Sequence, residues 1–63
     1  GDVYKRQFPY LVMNDVMKIA KAPGVKVVEQ SFDNVCSITL STRADLFPEI
    51  SSRILAIDGV TPF

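Results

Sequence analysis

Sixty-three residues make one small domain, and a chain this short buries only about 60% of the surface its unfolded form exposes. Its hydrophobic share of 48% is that of a folded domain rather than a disordered tail. Seven basic residues balance seven acidic ones, and a single cysteine with no histidine excludes both an internal disulfide and a structural zinc site.

Asp2 to Gln7 reads DVYKRQ, which resembles the translation of the transposase end sequence used to prepare shotgun sequencing libraries. On that reading residues 1–7 are a non-native read-through segment, and the natural domain, a truncated metagenomic fragment, occupies 8–63. The segment still alternates. Tyr4 and Phe8, with Tyr10 beyond them, fall on one face, and Val3, Lys5 and Gln7 fall on the other. Arg6 shares the face of Tyr4, where its stem can pack while its head must reach water. Val3 to Phe8 is therefore expected as a strand in an interior slot, paired with the strand around Ile38.

Pro9 holds Phe8 extended and closes that strand or opens a turn. Val12, Val16, Ile19 and Ala20 recur at helical spacing, with Met13 and Met17 beside them and Lys18 and Lys21 on the far side. This predicts an amphipathic helix over Val12 to Lys21, with Lys21 at the negative end of its dipole and Pro23-Gly24 as its stop. Val25 to Phe32 is rich in β-branched residues and predicts a strand, and Asp33-Asn34 is a turn pair. Val35 to Thr42 is the clearest strand, since Cys36, Ile38 and Leu40 alternate with Ser37, Thr39 and Ser41. The register of this hairpin is open. A two-residue loop sets Glu29 opposite Ile38, and a loop one residue longer sets Gln30 there. Either choice turns a polar side chain toward the core, so a bulge or frayed strand is expected near Glu29.

Asp45 predicts the N-cap of a second helix over Leu46 to Ile57, with Pro48 tolerated in its first turn. Leu46, Ile50, Ile54 and Ile57 form its apolar stripe, Asp58-Gly59 closes it, and Val60 begins a last extended segment. The order strand, helix, strand, strand, helix, strand predicts an α+β domain of the ferredoxin-like βαββαβ type, with both helices on one face of an antiparallel sheet. Its core should hold Val16, Ile19, Cys36, Ile38, Leu40, Ile50 and Ile54.

Chemistry is sparse. Without histidine the commonest general base is missing, and the three glycines stand singly rather than in a phosphate loop. Asp15 and Asp45 sit at helix starts, where a negative charge is stabilised without any further role. Cys36 on an apolar strand face reads as a small core hydrophobe, and Met13 and Met17, four apart on a helix, read as packing. Lys18, Lys21, Lys26 and Arg43 could make a modest basic patch or simply a solvated surface. The expectation is no catalytic residue, no metal and no cofactor. Weak nucleic-acid contacts, if made, fall to Lys18, Lys21 and Arg43. No apolar run approaches the ~18 residues of a membrane span, and a lone cysteine without a targeting segment points to the reducing cytoplasm.

Phe8-Pro9-Tyr10, Met13-Asn14-Asp15-Val16-Met17 and the run Glu29 to Leu40 resemble the C-terminal domain of the YigZ/IMPACT family. The resemblance covers most of Phe8 to Val60. It implies a ferredoxin-like domain, similar to late domains of elongation factor G, behind a larger N-terminal domain. It also implies a non-catalytic accessory role in translation regulation or stress response, with the missing N-terminal domain, the ribosome or RNA as partners and no membrane. Gly24 to Leu40 and Ile57-Asp58-Gly59-Val60 also resemble ACT regulatory domains, which bind amino acids or other small ligands. The glycine those domains carry before their first helix is absent from Tyr10-Leu11-Val12-Met13-Asn14.

Overall fold

The computed structural model describes residues 2–62. Along the chain lie β1 (Asp2–Phe8), a 3₁₀ turn (Tyr10–Val12), α1 (Met13–Ala20), β2 (Val25–Phe32), β3 (Cys36–Thr42), α2 (Phe47–Leu55) and β4 (Thr61–Pro62). The fold is a small α+β domain. Its sheet runs in the order β2-β3-β1-β4, and all three pairings are antiparallel.

β3 carries the organisation. Cys36, Ile38, Leu40 and Thr42 are buried, while Ser37, Thr39 and Ser41 between them stay half-exposed. Residues directly opposite in a ladder share a face, so the register passes this alternation to both neighbours. On β1, Tyr4, Arg6 and Phe8 face Leu40, Ile38 and Cys36, and Tyr4 and Phe8 are buried as expected. Tyr10 does not continue that face, because the chain turns at Pro9 into the 3₁₀ segment and leaves Tyr10 exposed. From the helices, Val16, Ile19, Ala20, Ile50 and Ile54 complete one core with the strand residues. All seven expected core residues are buried, and both helices cover the same face of the sheet.

β2 follows a less regular path. Asp33, Asn34 and Val35 form the loop, so Gln30 stands opposite Ile38, and the ladder slips between Val27 and Glu29. The irregularity anticipated near Glu29 is thus a bulge that makes Val28 the extra residue. Val25 and Val27 point to the helices, but beyond the bulge Gln30 and Phe32 occupy that face where neither helix covers them, and both are exposed.

Both helices end one or two residues inside their expected limits, α1 at Met13–Ala20 and α2 at Phe47–Leu55, and the expected N-cap needs correction. α2 begins at Phe47 rather than Leu46, and Asp45 is not its N-cap. A turn in which the Leu46 amide donates to the Arg43 carbonyl (3.0 Å) precedes the helix, and the Leu46 carbonyl accepts the first helical bond, from Ile50. Asp45 lies outside that geometry and pairs with Arg43 instead. α1 is shorter than expected at both ends, because its first turn is 3₁₀ and Lys21 is its C-cap. Gly24 and Gly59 have φ of +83° and +88°, the left-handed region where a side chain is strained. A Cβ on Gly24 would also lie 2.5 Å from Leu46 Cδ1.

A core this small leaves little reserve against cavities. Ile54→Ala should lower stability by about 2–5 kcal/mol, enough to unfold much of the population, whereas exposed Leu11→Ala should change it by less than about 0.5 kcal/mol. Urea denaturation followed by circular dichroism measures both, and equal effects would contradict this core.

Candidate functional site

The residues that could carry chemistry lie apart. Cys36 is a free thiol buried in the core between β1 and β2, as its alternation indicates. No group of three or more potential metal ligands occurs among the described residues. Lys18 is exposed in the last turn of α1, and Lys21 is exposed at its C-cap, three residues on and so neighbouring it on the helix surface. Arg43 belongs to a different element, the turn between β3 and α2.

Of the four cations expected as a basic patch, the structure gathers two, Lys26 and Arg43. Where β2 begins and β3 ends, Gly24, Lys26, Ser41, Thr42, Arg43 and Ala44 line an open depression of about 470 Å³. Lys26 reaches it because Val25 and Lys26 pair with Thr42 and Ser41 at the end of the hairpin ladder. Lys18 and Lys21 do not line it. The Arg43 guanidinium is partly neutralised here, since its Nε lies 3.4 Å from Asp45 Oδ1 and both side chains are about 70% exposed. Exposed pairs of this kind contribute little to stability and exchange readily with solvent, so Asp45 attenuates the positive charge of Arg43 without locking it. The chemistry available is weak, screened attraction for an anion. Sequence spacing could not reveal the Lys26–Arg43 pairing, because the two residues are joined only by the hairpin register.

A second polar feature lies under α2. The Tyr4 ring meets Phe47 edge-on, with centroids 5.0 Å apart, and the Arg6 guanidinium carbon stands 4.8 Å from the Tyr4 ring centroid. Arg6 Nη1 donates to the Lys5 carbonyl at 2.7 Å. Tyr4 Oη, Arg6 Nε and Thr42 Oγ1 are buried without a hydrogen-bond partner. Their positions follow from the alternation that points Tyr4, Arg6 and Thr42 to the helix-bearing face. Burial pushes the Tyr4 phenol above its ordinary value of 10.0, and the positive charge of Arg6 pulls in the opposite direction without cancelling the rise.

Compared with protein-family models, with curated proteins and with solved structures, the chain matches none. No helix among the described residues is long and apolar enough to cross a membrane.

The raised phenol has a definite pH consequence. The folded state disfavours the phenolate, so Tyr4 contributes stability in full below the unfolded value near 10.0, and that contribution is lost as pH rises through the higher folded value. Tyr4→Phe should flatten this alkaline loss. At neutral pH it should be neutral, or stabilising by about 1 kcal/mol, because the hydroxyl it removes has no partner. Urea midpoints across alkaline pH test this, and an unchanged alkaline limb in the variant would assign the loss to another group.

Proposed function

We propose that this chain is a ferredoxin-like accessory domain of the YigZ/IMPACT type, without catalytic activity of its own, that serves translation regulation or stress response in the cytoplasm. The observation that carries the reading is the sheet order β2-β3-β1-β4 with both helices on one face, the arrangement the resemblance implies. The quoted residues from Phe8 to Leu40 support it independently of the fold. On this reading Asp2–Gln7 stands in for the natural first strand, and the larger N-terminal domain precedes Phe8 in the parent protein. The ACT-like alternative is weaker, since Pro9 and a 3₁₀ turn occupy the place of its glycine loop.

Contacts with RNA or the ribosome, on this proposal, are made by exposed Lys18, Lys21 and Arg43 acting on phosphate rather than on bases. The genomic sequence upstream of Phe8 tests the family reading at once. An open reading frame encoding any other kind of N-terminal domain would end it.

For the contacts themselves, a titration with single-stranded RNA at several salt concentrations should give weak binding that falls as salt rises. Lys18→Ala, Lys21→Ala and Arg43→Ala should each weaken it regardless of sequence and reduce the salt slope by about 0.7. Tight binding indifferent to salt would contradict the proposal.

A further inference from the structure

β2 is the longer of the two edges of the sheet, eight residues, and among the described residues its outer backbone groups face no other strand. Such an edge normally repels a second strand through charge. Here the charges are arranged differently. Lys26 pairs with Ser41 and Glu29 with Thr39, and Ser41 and Thr39 lie on the same, helix-free face of β3. Lys26 and Glu29 are three residues apart, so a regular strand would point them to opposite faces. The bulge at Val28 brings them to the same face. Both are exposed, and neither has an ionic partner among the described residues.

From this we infer that β2 pairs antiparallel with β2 of a second copy of the chain, about a two-fold axis between Val27 and Val28. Read in the two directions, Lys26-Val27-Val28-Glu29 is self-complementary. Lys26 faces Glu29 of the second copy and Glu29 faces its Lys26, giving two equivalent ion pairs on the helix-free face. Between them Val28, 55% exposed in the single chain, meets Val27 of the other copy. The two sheets become one continuous sheet with all helices on one side. The occupant is a second copy rather than an unrelated peptide because the charge pattern complements itself. Strand pairing of this length buries less than a standard-size interface, so the dimer is weak and concentration-dependent. The inference does not rest on the proposed function.

Sedimentation equilibrium over a wide concentration range, with circular dichroism to monitor folding, tests it. The unaltered chain should pass from monomer to dimer at submillimolar concentration. Lys26→Glu and Glu29→Lys each set like charges face to face twice per dimer and should leave the chain folded but monomeric. The double variant K26E/E29K exchanges the charges and should restore the dimer. An unaltered chain that stays monomeric throughout would overturn the inference and leave the edge to another occupant. Single variants that dimerise as well as the parent, or a double variant that fails to recover, would overturn it equally.

Discussion

The antiparallel ladder between β1 and β3 is the constraint on which the rest of the domain depends. It sets Tyr4 opposite Leu40 and Phe8 opposite Cys36, and so creates the apolar floor on which both helices lie. Side chains alternate with a period of two, so sliding β1 by one residue would turn Tyr4 and Phe8 outward and bring Val3, Lys5 and Gln7 under the helices. No disulfide reinforces the arrangement. Its stability comes from buried hydrocarbon, chiefly Phe8, Ile38, Leu40, Ile50 and Ile54, and every other element is placed by its relation to that surface.

That floor is not wholly apolar. Arg6 belongs to it by register, and the domain accommodates the residue by laying its guanidinium near the Tyr4 ring and donating one hydrogen bond to its own backbone. Nε remains buried and unpartnered, as do Tyr4 Oη and Thr42 Oγ1. Each such atom gives up hydration without a replacement bond, at a cost of roughly 1–3 kcal/mol. For a domain whose total stability is of the order of several kcal/mol, three such atoms are a substantial burden. Two of the three lie on β1.

The fold was legible wherever a side chain's place follows from local period. Cys36 to Thr42 declares its buried face by strict alternation, and Val16, Ile19, Ile50 and Ile54 declare theirs by helical spacing. Conflict was legible too, since either loop length sets Glu29 or Gln30 opposite Ile38; the ladder sets Gln30 there, on a part of the face that neither helix covers, and slips by one residue before Glu29. Asp45 has the composition of an N-cap without its place, because an N-cap depends on where the turn before the helix hands over its first hydrogen bond, which composition does not encode. The basic depression was legible only in part. Of the four cations named for a basic patch, the hairpin brings Lys26 and Arg43 together and leaves Lys18 and Lys21 on the helix. Side chains joined only by tertiary register leave no periodic trace in one sequence.

The brevity of β4 has a kinetic consequence. Its two residues meet Arg6 and Gln7, almost the full chain length away, while β2 and β3 meet across a loop of three. The cost of closing a loop rises with its length, so the hairpin is the cheapest contact to form and the β1–β4 pairing the most expensive. Hairpins close within about 1–10 μs, and pairings distant in sequence wait for the structure between them. On this ordering β1 joins the open edge of β3 after the hairpin has formed, and β4 pairs with β1 last. If so, substitutions at Leu40 facing Val27 should slow folding, and those at Thr61 should mainly quicken unfolding, a division that stopped-flow chevrons can read. An edge closed by so short a strand should also be the first part of the sheet to open, exchanging its amide hydrogens well before the hairpin does.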